Sequence, residues 1–264
     1  MRQSFMPVPR KIPYMLKAVT ALVFVSTAIA QPSAEELLRN VKTVYGRAHQ
    51  FHFVTRVIER RSGTETTGSA ETAVDKDRVW FNAERRAAVW ASGGREETAI
   101  KVVSDGHAVW VYLKESNQYK KAEGVPDPRN SDADDESIDN PRFFVRTLMD
   151  AQLVRYVNFH RMSSRARVKG EGACTANAAP ATCYVVEING ESLNPEVVMG
   201  VYTLWIEKQR YLVLREDFKE IDNGQVSYSS SILNDIAELD TTVADKRFSF
   251  VPPPDAKEVQ SFFY

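Results

Sequence analysis

Two segments of this chain are apolar on both faces of an extended strand, and few folds can satisfy them. In Ala108 to Leu113, Val109, Val111 and Leu113 project one way and Trp110 and Tyr112 the other; in Val201 to Glu207, Tyr202, Leu204 and Ile206 oppose Trp205. Successive side chains of a strand point to opposite sides, so such a strand needs cover on both. Its neighbours are β-like as well, with segments of period two at Phe51 to Arg60, Arg78 to Asn82, Ala87 to Ala91 and Ala99 to Ser104. Others follow at Cys183 to Ile188, Tyr211 to Phe218 and Val226 to Ile232. Asp105-Gly106 and Asn223-Gly224 tolerate positive φ in two-residue hairpins, and Asn189-Gly190 closes a further segment. No βαβ rhythm is present, so a large antiparallel meander is expected.

Helical signals are few. Ser33 and Glu36 form a capping box, and Leu37, Leu38, Val41, Val44 and Tyr45 recur at helical spacing, which predicts one helix to about Arg47. Ala122 to Asn140 is polar and acidic and reads as a solvated loop; its run Asp132, Asp134, Asp135, Glu136 lacks the glycine of a calcium loop. Asn140-Pro141 then opens a second helix to about Leu153, with Phe143, Phe144, Leu148 and Leu153 on its apolar face. Two short helices cannot cover both sides of so large a sheet. The expected fold is therefore mainly β (α+β): a highly curved antiparallel sheet forming an incomplete barrel, with the N-terminal helix and a second lid helix over its concave face. Composition alone favours a solid core filled by the same aromatics.

The first thirty residues read as an export signal. Arg2, Arg10, Lys11 and Lys17 precede an apolar run from Ala18 to Ala28, and Ala28-Ile29-Ala30 supplies a small-residue cleavage site. Cleavage after Ala30, a periplasmic product and one domain over 31–264 are expected. The signal removes four basic and no acidic residues from 34 Lys+Arg and 35 Asp+Glu, leaving a net charge of −5, which argues against nucleic-acid binding. In an oxidising compartment Cys174 and Cys183, closing a short loop, are expected to be disulfide-bonded.

Catalytic patterns are missing from the sequence. His49, His52, His107 and His160 show no zinc spacing, and there is no nucleophile elbow, phosphate loop or dinucleotide fingerprint. Glu216 and Asp217 face opposite sides of their strand and make no acid/base couple. No enzyme activity, catalytic residue, metal or cofactor is expected.

The stretch Val102-Val103-Ser104-Asp105-Gly106-His107-Ala108-Val109-Trp110-Val111-Tyr112 resembles a hairpin of the periplasmic outer-membrane lipoprotein carriers, the LolA-like family. The resemblance continues at Asn140-Pro141-Arg142-Phe143-Phe144, where that family opens its lid helix. It extends through the late hairpin Val201 to Phe218 and the terminal Phe248-Ser249-Phe250-Val251-Pro252-Pro253. The resemblance implies a half-barrel whose hollow binds acyl chains of a lipid or acylated lipoprotein for transfer towards the outer membrane. Membrane-associated donor and acceptor proteins would be its partners, and the carrier itself a monomer. At about 0.8 kcal/mol per buried CH₂, one long chain carries on the order of 10 kcal/mol, so no covalent chemistry is needed to hold it.

In that family an arginine ahead of the hairpin ties the lid to the barrel; Arg85 or Arg86 would fill this role, although the family's neighbouring proline and phenylalanine are replaced here. The expected lipid-binding residues are Trp80, Trp90, Trp110, Tyr112, Phe143, Phe144, Leu148 and Trp205. The alternative function class is a lipid- or peptide-sensing envelope-stress regulator of similar fold.

Overall fold

The computed structural model describes residues 31–262 apart from 62, 89–94, 125–139 and 191–197. The expected leader, Trp90 and most of the acidic loop lie outside these residues. Helix α1 (Ala34–Arg47) begins where its capping box predicts: the Ser33 hydroxyl accepts a hydrogen bond from the Glu36 backbone N–H at 3.1 Å. Its buried stripe of Leu37, Leu38, Val41 and Tyr45 faces the sheet.

The next six strands are β1 (Gln50–Arg61), β2 (Thr64–Asp75), β3 (Arg78–Ala88), β4 (Arg95–Ser104), β5 (Ala108–Leu113) and β6 (Gln118–Glu123). A helical segment follows. It contains α2 (Pro141–Met149), a π-helical stretch (Asp150–Val154), α3 (Arg155–Asn158) and a 3₁₀ stretch to Arg165. Asn140 caps α2 through its side-chain oxygen, which accepts from the Arg142 N–H at 3.1 Å. This helical path runs beyond the Leu153 end expected from sequence.

Strands β7 (Ala166–Ala176), β8 (Ala179–Asn189), β9 (Val198–Glu207), β10 (Val213–Asp222) and β11 (Gln225–Leu239) complete the meander, and the short β12 (Lys257–Glu258) pairs in parallel with β6. Together they form one sheet in the order β12-β6-β5-β4-β3-β2-β1-β11-β10-β9-β8-β7. The Asn223-Gly224 turn joins β10 to β11 with φ of 48° and 78°, the double positive φ that its sequence predicts.

The sheet is open but curled. Three strands separate β7 from β11, yet the two touch, and the side-chain oxygen of Asn177 in the β7–β8 turn accepts from the Ala237 N–H at 3.0 Å. Register shifts at Val54/Thr55, Val213/Arg215 and Val168/Gly170 bend the strands, as β-bulges do. The Cys174–Cys183 disulfide, with Cα atoms 5.9 Å apart, staples the hairpin that makes this contact. Pro32–Tyr264 form one compact unit.

Both faces of the two-sided strands are covered, each by a different part of the chain. On the concave face, Phe51 and Phe53 of β1, Val102 of β4, Val109 and Val111 of β5, and Leu204 and Ile206 of β9 are fully buried beneath the helices. On the convex face of β5 the cover is the C-terminal tail. Phe250 sits among Trp110, Tyr112 and Tyr119, with ring centroids 6.0, 6.5 and 5.5 Å away. Phe248 packs with Ala73, Val243 and Trp80, and the Arg78 guanidinium lies 4.5 Å from its ring centre. Curling alone does not explain the two-sided β5; the terminal Phe-Ser-Phe motif supplies its second layer.

Candidate functional site

The concave face is filled in one part and hollow in another. Over β9–β11 an aromatic chain closes it: Tyr45 lies against Phe53 and Tyr156, Tyr156 against Phe159, Phe159 against Tyr202, and Tyr202 against Phe218, with centroid separations of 4.7–6.3 Å. The Tyr45 hydroxyl accepts from the Val213 N–H at 3.0 Å, which fixes α1 to the sheet.

Over β1–β3 the inward side chains are small. β2 contributes Thr66, Gly68 and Ala70, and β3 contributes Ala83, in register with Glu59, Val57 and Thr55 of β1. Between this wall and the helical segment lies a cavity of about 340 Å³. Phe81, Val57 and Ile232 line its sheet side, and Leu148, Gln152, Arg155 and Tyr156 its helical side. A volume of this size is at the lower end of the range for small-molecule pockets, roughly 300–1,000 Å³.

A buried polar group borders the hollow. The Glu216 side chain, 1% exposed, shares a row with Ile232 of β11 and Leu204 of β9 and is paired with Arg155, whose side chain is 31% exposed. Burial pushes the Glu216 carboxyl up to about 7, with the Arg155 guanidinium acting in the opposite direction. Its second oxygen, Oε2, has no hydrogen-bond partner among the described residues. Beside this pair, Asn234 accepts from the Thr55 hydroxyl at 2.9 Å and donates to the Val213 carbonyl at 2.8 Å and to the Tyr156 hydroxyl at 3.4 Å. Burial raises the Tyr156 and Tyr45 hydroxyl pKa values, so both phenols stay neutral.

The residues expected at the site are divided by the register. Leu148 lines the cavity, and Phe144 packs with it against the core; Phe143 meets Phe144 edge-on at 6.0 Å. Trp80, Trp110 and Tyr112 lie on the convex face under the tail, so the expectation that they line the hollow is corrected. Trp205 also projects away from Leu204 and Ile206, under the Arg215 guanidinium 4.4 Å from its ring centre. The physical reason is shared: alternation reveals that two faces are apolar without revealing which is concave.

Arg85 pairs by register with Gly68 and Thr98, and Arg86 with Thr67 and Glu97; their side chains lie outside the described residues. Among the described residues the ties come from the helical segment. Arg142 donates through Nε to the Glu123 carbonyl at 3.1 Å, and Arg155 reaches Glu216. Sequence reasoning missed Arg155, Glu216 and the small residues of β2. One signal was available for Glu216, which shares the inward alternation of Phe218.

An open, curled antiparallel sheet with helices across a hollow is now complete. The architecture is an incomplete antiparallel half-barrel.

No family model matches the chain. An uncharacterized protein of Methanocaldococcus jannaschii is 22% identical over 241 residues, 90% of this chain and 57% of that protein, so the chain spans little more than half of that relative. Among solved structures, LprF of Mycobacterium bovis is similar with a TM-score of 0.45 at 13% identity, over 84% of this chain and 97% of that one. A LolA superfamily protein of Nitrosomonas europaea gives 0.28 at 10% identity, over 83% and 99%. A chain of the MucA/MucB complex of Pseudomonas aeruginosa gives 0.39 at 15% identity, over 83% of this chain and 61% of that one.

Proposed function

We infer that this protein is an exported carrier that shelters an acyl chain of a lipid or lipoprotein in the hollow between β1–β3 and the α2–α3 segment, for transfer towards the outer membrane. The observation that carries the reading is the cavity itself: Val57, Ala70, Phe81, Ala83, Leu148 and Ile232 give it apolar walls, beside an aromatic-filled region over β9–β11. Hydrocarbon transferred from water to such walls gains about 0.8 kcal/mol per CH₂, enough for a single chain to bind without covalent attachment. The helical segment forms one wall, so opening it would release the cargo. The disulfide fits an oxidising compartment, in keeping with export.

Mass spectrometry of organic extracts from natively purified protein tests the reading. Acyl species should copurify in near-stoichiometric amounts and be lost from Leu148→Asp, whose charge would sit in the cavity wall. Extracts free of acyl species, together with failure to take up added lipid, would remove the carrier proposal.

A further inference from the structure

Arg155 is the one cation among the described residues that lines the cavity. Its guanidinium has five N–H donors in a planar fork suited to carboxylate or phosphate. Glu216 engages one end of this fork, through Nη2. The Arg155–Glu216 pair sits in the row of Val57 and Ile232, one step deeper than the row of Glu59 and Ser230. Glu59 is a carboxylate of the concave face nearer the exposed end of β1, where it accepts from the Tyr228 hydroxyl at 3.0 Å. Glu84 borders the cavity too, but by register it belongs to the opposite face.

Among the described residues, then, the cavity offers a cation one row below Glu59, with the small and apolar side chains of Ala70, Ala83 and Phe81 in the rows deeper still. We propose that the cavity binds a single-chain anionic amphiphile with its carboxylate or phosphate on Arg155 and its hydrocarbon running deeper, along Ala83, Phe81 and Leu148. The proposal rests on the carrier reading above and narrows its cargo.

For an anion to take Arg155, Glu216 must stop competing for it. The groups facing the pair are the neutral phenols Tyr45 of α1, Tyr156 of α3 and Tyr202 of β9, and the charge of Asp217, on the opposite face of β10, also raises the Glu216 pKa. With burial already holding Glu216 up to about 7, a second anion beside Arg155 raises it further, so the ligand enters as Glu216 takes up a proton. The unpartnered Oε2 is the atom that accepts it. Binding is therefore linked to proton uptake, and affinity falls as pH rises above about 7.

The experiment compares four probes with the same sixteen-carbon chain: palmitate, a palmitoyl lysophosphatidic acid, hexadecanol and hexadecylamine. The first two distinguish a carboxylate source from a phosphate source. At pH 6 the full exported protein should bind an anionic probe about tenfold more tightly than hexadecanol, the scale of one charge-assisted hydrogen-bond pair. For lysophosphatidic acid, which stays anionic throughout, that preference should shrink at pH 8. Calorimetry at pH 8 in buffers of different ionisation heat should show proton uptake with this probe and none with hexadecanol. Arg155→Gln should abolish the preference, as should the Arg155→Gln/Glu216→Gln pair, which leaves no buried charge unpaired. Equal binding of anionic and neutral probes, tighter binding of the amine, or a preference that survives both variants would overturn the anionic-head site while leaving the carrier reading intact. Failure of all four to bind would overturn both.

Discussion

The two parts of the concave face use the same sheet and differ in what stands on it. Over β9–β11 the rows carry Leu204, Tyr202 and Phe218 beneath Tyr45, Tyr156 and Phe159, and the space is filled. Over β1–β3 they carry Thr66, Gly68, Ala70 and Ala83, and a hollow remains. Curvature supplies a concave surface, but side-chain volume decides whether it becomes core or cavity. The polar pair Arg155–Glu216 marks the boundary between the parts.

The comparison is broken most sharply by truncating one aromatic on each side. Phe159→Ala, in the filled part, should cost about 3–5 kcal/mol in chemical denaturation, whereas Phe81→Ala, beside open space, should cost about 1–2 kcal/mol. Equal losses would mean that the hollow is not open in solution.

The boundary pair has its own signature. The Glu216 carboxyl stands at about 7 in the fold against 4.5 in a free chain, so between these pH values the folded state holds a proton that the unfolded state lacks. Stability from this group is therefore present below about pH 4.5 and declines as pH rises to about 7, by on the order of 3 kcal/mol. Glu71, Asp75 and Glu187, whose pKa values are lowered by their hydrogen-bonding and charged partners, act with the opposite sign at lower pH. Urea titrations of the protein and of Glu216→Gln across pH 5 to 8 separate the two; an unchanged slope in the variant would contradict the assignment.

Smaller effects sharpen the picture. Replacing Cys174 and Cys183 with serine opens a loop of sequence separation 9 and should lower stability by about 2–3 kcal/mol, loosening the Asn177–Ala237 contact that keeps the sheet curled. Ser33→Ala removes the α1 cap and should cost about 1 kcal/mol with no change in ligand binding.

How much of this was legible depended on where the decisive contacts lie. The start of α1 and the Asn223-Gly224 hairpin are written locally, in a cap and a turn, and both are found. β2 is not, because Thr64–Asp75 is a run of small and polar residues with no apolar period; it is a strand because β1 and β3 pair with both of its edges. The same smallness that hid the strand creates the cavity. Arg78–Asn82 and Ala87–Ala91 read as separate segments, whereas backbone pairing with β2 and β4 makes Arg78–Ala88 continuous. For Trp110 and Tyr112 the alternation was read correctly and the face was not, since the residue that covers them, Phe250, is remote in sequence and pairs by no local rule. The terminal aromatic motif was visible, but as a mark of resemblance rather than as a layer of the fold. Arg155 could not be matched to Glu216 from sequence, as they meet only once the helical segment lies across the sheet.

The central claim is that acyl chains occupy the hollow on the concave face and not the aromatic layer beneath the tail. Titration of a fluorescent fatty acid into the protein, into Ala70→Trp and into Trp110→Ala tests it directly. Ala70→Trp should lose binding by more than about tenfold, since its ring fills the space an acyl chain would take, while Trp110→Ala should bind as the parent does. The reverse, with binding lost in Trp110→Ala and kept in Ala70→Trp, would contradict the account.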